Sequence, residues 1–396
     1  MNTKPMNALL TNSLADGGAE RIALTVISEL IKRGHNMILI CLEKNVFYDI
    51  PEGVDVIYLS NLSGNEGGLQ KFLRLPFLAV KLMKVIKKYN IQVVQSHLFR
   101  SNYVNVMARQ LGARHKVQVL NSGSISPKYS QSTLTGRMNL FLIHRLYPKA
   151  DVIISLSKGS QVDMQELFNF SVPKRVIYNP TQPDLLENMQ KEQVTPKEFL
   201  FQTNHKYIIS MGRLHPCKCF DMLIQAFETI SNQFKDTDLI ILGEGDEKKK
   251  LSNCIDTLNL THRIFLTGRV RNPFKYLARA HLFILPSINE GFPNSLVEAM
   301  LCKLPVISTD CLSGPREILA PETDVQFQLK SEIEFAQYGV LTPVNNHLLL
   351  ADAMTQLLQD QNLSKKYIEL GYKRACMFSL DNIIDQYEKV IFSGDC

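Results

Sequence analysis

Two carboxylates, Glu290 and Glu298, bracket the stretch NEGFPNSLVEAM (residues 289–300), where a Gly-Phe-Pro-Asn turn runs into an apolar, helix-forming segment. Glycine and proline forbid a regular helix before Asn294, which leaves backbone N–H groups of Gly291, Phe292, Asn294 and Ser295 to point at a ligand. Glu298 falls one to two turns into the helix, at its ligand-side end. A carboxylate accepts two hydrogen bonds at once, a match for the vicinal hydroxyls of a ribose or a hexose. The alternative is a pair of capping carboxylates on a surface helix. In MGRLHPCKCF (residues 211–220), Arg213 and Lys218 lie five residues apart across a proline-containing loop. A planar fork and a mobile point charge together suit a diphosphate whose charge grows as a bond to it breaks, unless both are simply solvated surface cations.

Three further stretches carry candidates. In SLADGGAERIA the pair Gly17 and Gly18 precedes a helix whose N-terminus can present backbone donors to an anion or a sugar hydroxyl, or else makes only a tight turn. The spacing is not G-x-G-x-x-G, so a dinucleotide site is a poor match. His97, in VVQSHLFRSN, follows an apolar strand and is succeeded by Arg100, Ser101 and Asn102, polar where a core would be apolar. A lone histidine is more often structural. In LGEGDEKKKL (residues 242–251) the glycines read as a turn and the three lysines as a solvated helix face.

The elements that hold these loops alternate. GAERIALTVISELIKRG and LPFLAVKLMKVIKKYN have helical periodicity, while NMILICL, IQVVQSH, KVQVLNS and DVIISLS are short Val- and Ile-rich runs. Nearly continuous apolar strands separated by helices argue for a parallel sheet covered on both faces. The proline-bearing segment VIYNPTQPDLLENMQKEQVTPKEFL reads as a linker, after which YIISMGRL, DLIILGEG, RIFLTG, LFILPS and LPVISTD start a second alternating series. The expected architecture is α/β, two doubly wound Rossmann-like domains facing a central cleft: residues 1–178, with a C-terminal helix at 379–396 packing back on them, and residues 179–378. Ligands of such sheets sit at the carboxyl ends of the strands, where the candidate loops lie.

A length of 396 residues agrees with two cores, and 45% hydrophobic with 21% charged residues excludes a disordered chain. Eight scattered cysteines read as free thiols of a reducing compartment, and no stretch has the apolar length of a membrane span. A cytoplasmic, non-spanning protein is expected. Of 44 Lys+Arg and 38 Asp+Glu, residues 1–180 hold 22 and 11, a net of +11, against 22 and 27 in the remainder, a net of −5. The segment QKFLRLPFLAVKLMKVIKKYN (residues 70–90) mixes six cations with Leu, Phe and Val, as an anionic lipid surface would require, although a sheet-covering helix with a solvated basic face has the same composition. Interleaved aromatics for nucleic acid are missing from it, so no nucleic-acid partner is expected.

Taken together, EGFPNSLVEAM, GRLHPCK, LGEGDEKKKL, LTGRVRNP, VIYNP and GGAERIA resemble, in order and over nearly the whole chain, the motifs of the retaining glycosyltransferases of family 4, which have the GT-B fold. The resemblance implies that Arg213 and Lys218 bind the donor diphosphate, that Glu298 holds the ribose hydroxyls and that Glu290 contacts the transferred sugar. The amides of Gly291, Phe292, Asn294, Ser295 and Leu296 would face sugar and phosphates, Arg269 and Val270 the base, and Gly17 with Gly18 the donor phosphates and acceptor. His97 matches the family's cleft histidine. HPCKC is an unusual filling between the two cations, and SISPKYSQSTLTGR has no clear counterpart.

The implied reaction is metal-independent, with no cofactor: Arg213 and Lys218 supply the charge a metal would, and no Asp-x-Asp pair to bind one is expected. The donor would be a nucleotide sugar, UDP-linked, and the acceptor a polyprenyl-diphosphate-linked sugar in capsule, O-antigen or exopolysaccharide assembly. The enzyme would work peripherally at the inner membrane surface through the basic helix 71–88. A nucleotide-sugar isomerase or hydrolase, or a non-catalytic binding module, are the competing expectations.

Overall fold

The computed structural model describes residues 5–392, apart from 16, 65, 128, 130, 131 and 197. It divides into two units, residues 1–180 with 380–396 and residues 181–379. Of the C-terminal helix expected at 379–396, residues 393–396, Cys396 among them, lie outside the described residues.

The first unit runs β1 (Met6–Thr11), α1 (Gly18–Lys32), β2 (Met37–Cys41), β3 (Val56–Tyr58), α2 (Gly68–Leu73), α3 (Leu75–Tyr89), β4 (Ile91–His97), α4 (Phe99–Gln110), β5 (Lys116–Asn121), α5 (Leu134–Leu146), β6 (Val152–Ser155), α6 (Lys158–Phe168) and β7 (Lys174–Val176). All seven strands are parallel, in the order β3-β2-β1-β4-β5-β6-β7. Strand side chains alternate between faces. Ala8, Leu10, Ile38, Ile40, Val94, Val117, Val119 and Ile153 share one core with Leu78, Leu82 and Ile86 of α3, Tyr103 and Val106 of α4, and Ile143 of α5.

The second unit runs α7 (Pro183–Gln190), β8 (Lys206–Met211), α8 (Phe220–Ser231), β9 (Thr237–Leu242), α9 (Lys248–Thr257), β10 (Ile264–Gly268), α10 (Phe274–Leu277), β11 (Leu282–Leu285), α11 (Asn294–Leu301), β12 (Val306–Thr309), α12 (Pro315–Leu319), β13 (Glu334–Phe335), β14 (Val340–Thr342), α13 (His347–Gln359) and α14 (Gln361–Cys376). Its strand order is β10-β9-β8-β11-β12-β14-β13, parallel throughout except for β13. The last helix, α15 (Leu380–Phe392), returns to the first unit and packs on α1, where Arg33 meets Asp385 at 2.6 Å and Glu388 at 2.9 Å.

The linker expectation is corrected. Its prolines do not keep the segment irregular: Pro183 stands in the first helical turn of α7, where a missing N–H costs nothing, and Asn272 Nδ2 binds the helix at the Met189 carbonyl (2.7 Å). The helix contributes Leu186 to the interior and contacts α10 and α11, so the segment from residue 181 on is part of the second unit, and the boundary between the units does fall inside the expected linker, after Pro180. The seven described cysteines are free, and among the described residues no helix is long and apolar enough to cross a membrane.

Candidate functional site

Strand order reverses direction twice, between β1 and β4 in the first unit and between β8 and β11 in the second. Adjacent loops leave the sheet on opposite sides at such a switch point and open a crevice there. Arg213 and Lys218 follow β8, and Glu290 follows β11; Gly17 and Gly18 follow β1, and His97 ends β4. Chain reversal therefore selects the candidate loops at both points. Each also carries a side-chain-bearing residue at positive φ, Leu98 (74°) directly after His97 and Cys219 (46°) directly after Lys218. Such conformations cost of order 1–3 kcal/mol and persist where surrounding structure imposes them, often at functional sites.

In the second unit, Pro216 opens a single 3-10 turn over Pro216–Lys218, and His215 caps it by accepting the Cys217 N–H at 3.3 Å. The turn delivers Lys218 Nζ to Glu290 Oε1 at 2.5 Å. Burial acts to lower the Lys218 pKa, and the adjoining Glu290 carboxylate more than offsets it, so the ammonium is held above its ordinary value. One of three N–H donors is used and two remain for a second anion. Arg213 is exposed at the start of the same loop. Burial together with Arg213 and Lys218 depresses His215, which favours the neutral imidazole beside the Cys217 thiol, 3.1 Å away.

The Glu290 loop is pinned from behind. Ile288 N–H donates to the Cys217 carbonyl (2.9 Å), Thr309 Oγ1 donates to the Ser287 carbonyl, and Ser313 Oγ donates to the Glu290 carbonyl (2.6 Å). Gly314, at φ 93°, comes so close that a methyl there would stand 2.6 Å from Pro293 Cδ and 2.9 Å from the Gly291 carbonyl oxygen. Helix α11 then starts at Asn294 as expected, with Phe292 and Leu296 buried and Gly291 and Ser295 partly exposed. Glu298 is only 6% exposed, so it is withdrawn from bulk solvent and does not cap a surface helix. Arg269 and Val270 follow β10 two strands from β8, Arg269 exposed and Val270 partly so.

The glycines of LGEGDEKKKL do more than turn the chain. Leu214 N–H donates to the Glu244 carbonyl (2.9 Å), Glu247 N–H to the Leu214 carbonyl (3.1 Å) and Gly212 N–H to the Leu242 carbonyl (3.0 Å), so this loop braces the one bearing Arg213. A methyl on Gly243 would run into the Gly212 carbonyl, and one on Gly245 into the Leu214 backbone. Gly243→Ala is therefore expected to destabilise the second unit by about 1–3 kcal/mol through overpacking and to displace Arg213 and Lys218 together. Urea titration and donor affinity check this, and wild-type affinity in the variant would contradict the brace. The lysines are exposed as expected, Lys248 pairing with Glu244 and Lys250 with Asp221 and Glu247.

The sequence does contain one Asp-x-Asp triplet, Asp236-Thr237-Asp238, but it lies at the amino end of β9, away from the strand ends that carry the candidate residues. Asp238 is committed there to Arg263 (2.7 Å) and His205 (3.1 Å).

In the first unit, Gly17 caps α1 with extended backbone, its carbonyl accepting the Tyr48 hydroxyl at 3.3 Å, and Gly18 is the exposed first helical residue. His97 is buried, and burial lowers its pKa to about 4. A hydrogen-bond relay sets its tautomer. The Val390 carbonyl can only accept, so Gln118 donates to it with Nε2 (2.6 Å); Gln95 Nε2 then donates to Gln118 Oε1 (3.0 Å), and His97 Nε2–H donates to Gln95 Oε1 (3.1 Å). Nδ1 is left as the acceptor nitrogen. The two glutamines were not singled out in the sequence, since amides inside apolar strands have no local signature; their place in a strand predicted to be buried was the available clue.

His97 and His115, both held neutral by burial and lowered to about 4, give the first unit a pH dependence. The unfolded chain binds protons near pH 6.5 and the folded one does not, so the associated stability is complete above that value and is lost as pH falls toward 4. At pH 5 the loss should be about 2 kcal/mol per histidine. Hydrogen exchange at pH 7 and pH 5 resolves the two units, and equal protection of β4 and β5 at both would refute it.

Residues 191–374 match the family described as Glycosyl transferases group 1, and residues 16–185 match Glycosyltransferase Family 4. The chain is 32% identical over 367 residues, 92% of its own length and 93% of the relative's, to the N-acetylgalactosamine-N,N'-diacetylbacillosaminyl-diphospho-undecaprenol 4-alpha-N-acetylgalactosaminyltransferase of Campylobacter jejuni. A second C. jejuni protein, the GalNAc-alpha-(1->4)-GalNAc-alpha-(1->3)-diNAcBac-PP-undecaprenol alpha-1,4-N-acetyl-D-galactosaminyltransferase, is 21% identical over 386 residues, 96% of each chain. Among solved structures, Anabaena HepE in complex with UDP matches with a TM-score of 0.73 at 21% identity, over 98% of this chain and 100% of that one. The sucrose-phosphate synthase of Thermosynechococcus elongatus matches with a TM-score of 0.82 at 17% identity, over 98% of both. At those identities the structures speak for the fold, which is GT-B, and the sequence relatives for the family. With both family segments matched in order along two parallel-sheet units, the chain belongs to the glycosyltransferases of family 4.

Proposed function

We propose that this glycosyltransferase moves a hexose or N-acetylhexosamine, with retention at the anomeric carbon and without a metal, from a UDP-linked sugar to a hydroxyl of a polyprenyl-diphosphate-linked sugar in envelope polysaccharide assembly. The observation that carries the proposal is the Lys218–Glu290 pair at the switch point of the second unit, with Arg213 in the same loop and the nearly buried Glu298 in the helix that follows. In this reading the acceptor oxygen attacks from the face the diphosphate leaves. The bond from the anomeric carbon to the diphosphate oxygen breaks as the new one to the acceptor oxygen forms, and the acceptor's proton passes to the diphosphate. Lys218 and Arg213 meet the negative charge that grows on the leaving oxygens. Glu290 contacts the sugar, the Gly291–Leu296 backbone lines it, and Glu298 holds the ribose. Arg269 and Val270 lie toward the base, Gly17 and Gly18 toward phosphates and acceptor, and His97 offers its Nδ1 lone pair.

The lipid-linked acceptor is supported by the two C. jejuni relatives, whose names specify acceptors on diphospho-undecaprenol. Work at the cytoplasmic face of the membrane, with the basic helix 71–88 on the lipid, follows from that acceptor.

The test is thermal stabilisation by a panel of nucleoside diphosphates and their sugars, with and without chelator. A shift specific to uridine compounds and indifferent to chelator is expected. Glu298→Ala should weaken binding of free UDP by about 10- to 100-fold, the value of a hydrogen bond to a charged group. Unchanged affinity would remove the ribose contact, and a shift that chelator abolishes would remove metal independence.

A further inference from the structure

We infer that Cys217 is a modification site: its thiol, in contact with His215 in the loop between Arg213 and Lys218, exchanges with small disulfides of the glutathione class, and the adduct closes the donor site. The closure, though not the exchange, rests on the donor reading proposed above.

The stretch HPCKC places a nucleophile beside a base. Cys217 Sγ stands 3.1 Å from His215 Nδ1. The Cys217 backbone N–H donates to the same nitrogen at 3.3 Å, which makes Nδ1 the acceptor and leaves the ring proton on Nε2. The S–H is therefore the donor of the pair, already aimed at the atom that can take its proton. Burial with Arg213 and Lys218 lowers the imidazole pKa against Asp246 and Glu247. Burial also pushes the Cys217 thiol up, with Glu290 adding to it and Lys218 and Arg213 opposing. Both partners rest neutral, and the thiolate forms as His215 removes the proton. A thiol of raised pKa is the stronger nucleophile once ionised.

Exposure selects the same residue. Cys41, Cys219, Cys302 and Cys311 are buried, while Cys217 is partly exposed. Cys219, two residues on, gives its S–H to the Pro216 carbonyl at 3.3 Å, and burial pushes it up to about 11. Cys254 on α9 and Cys376 at the end of α14 are as accessible as Cys217 and serve as internal controls.

In the exchange, Cys217 Sγ attacks one sulfur of the disulfide and the S–S bond breaks as the new one forms. The electron pair leaves on the second sulfur, and the proton held by His215 passes to it, so one mixed disulfide and one free thiol result. The turn has no slack to absorb the adduct. The Cys217 carbonyl accepts the Ile288 N–H from the Glu290 loop at 2.9 Å, and the next residue, Lys218, holds Glu290. Moving the turn aside for a tripeptide-sized group therefore takes Lys218 off Glu290.

Treatment of the reduced full chain with glutathione disulfide at neutral pH, with the adduct mapped by peptide mass, tests this. Cys217 should be capped before Cys254 and Cys376. His215→Asn keeps an acceptor for the Cys217 N–H but no base, and should slow capping of Cys217 by about 10²-fold, the usual share of a general base. Unchanged rates at Cys254 and Cys376 in that variant show an intact fold. Capped wild type should lose the UDP-induced thermal shift and regain it with dithiothreitol, whereas Cys217→Ser should keep the shift throughout. Equal capping of the three cysteines, or capping of Cys217 undiminished in His215→Asn, would overturn the modification site. Capped wild type that retains the UDP shift would overturn the closure. Reduced wild type that shows no UDP shift, with Cys217 still capped first, would sink the donor reading and the closure with it and leave the modification site standing.

Discussion

Lys218→Ala is expected to lower kcat by about 10²- to 10³-fold, the usual cost of removing one donor from a site where charge develops, while the donor's KM changes far less. The ammonium is held charged by Glu290 at 2.5 Å, and in the reaction proposed above its two other N–H groups meet the leaving diphosphate. Charge on that group is greater at the transition state than in the bound donor, so the loss falls on turnover. Lys218→Arg should not restore it, because a planar fork cannot occupy the position of a point charge already engaged by one carboxylate. Glu290→Ala removes the acid that offsets the burial of Lys218, and should also cost turnover. Because the two side chains act as a unit, the double alanine variant should be little worse than the poorer single one. Single-turnover kinetics on the four proteins decides it: additive losses would mean that the pair seen in the structure plays no joint part, and near-normal turnover in Lys218→Ala would remove the diphosphate role.

Arg316→Ala is expected to cost the second unit about 3–5 kcal/mol, the penalty of leaving a buried charge without its partner. The guanidinium is 3% exposed and spans the loop after β12: Nε and Nη2 reach Asp310 at 3.1 and 2.7 Å, Nη2 reaches Glu334 at 2.8 Å, and Nη1 reaches Thr323 at 2.9 Å. Asp310, itself 1% exposed, also accepts the Leu329 N–H at 2.8 Å. Burial already pushes the Asp310 carboxyl above its ordinary value, so loss of the arginine leaves it the choice of protonation or exposure. The same loop carries Ser313 and Gly314, which hold the Glu290 loop, and the variant should therefore bind donor poorly before it unfolds. Arg316→Met combined with Asp310→Leu should recover part of the stability, since an apolar pair leaves no charge stranded at 310 or 316 and Glu334, 27% exposed, can turn to solvent, while the Leu329 N–H loses its acceptor. A cost under about 1 kcal/mol in urea titration would show that the triad is not the brace inferred here.

Much of this was legible in the residues. Short, nearly continuous apolar runs mark the strands and 3.6-residue periods the helices through side chains only a few positions apart, so IQVVQSH, YIISMGRL and LFILPS declare themselves as β4, β8 and β11 without help from the rest of the chain. The same is true of Asn294 as the start of a helix, because proline and glycine act on their own backbone. Arg213, Lys218, Glu290 and Glu298 stood out by charge at strand ends. A local rule failed in the segment 176–200, where prolines read as a linker; whether Pro183 breaks or begins a helix depends on what Leu186 packs against.

The sequence by itself thus determined the two parallel-sheet units, the strand-end loops that hold the candidate residues and the charge types in them. Only the tertiary structure decided which of those charges meet. Lys218 and Glu290 are 72 residues apart, and they touch because β11 lies beside β8 instead of β12 beside β9, a choice made by crossover connections and not by any residue near either side chain. The brace from Gly243 and Gly245, the Asp310–Arg316–Glu334 triad and the glutamine relay from α15 to His97 have the same origin. Each is a contact between segments distant along the chain, and such relations leave no periodic trace in the sequence because they are set by the sheet order.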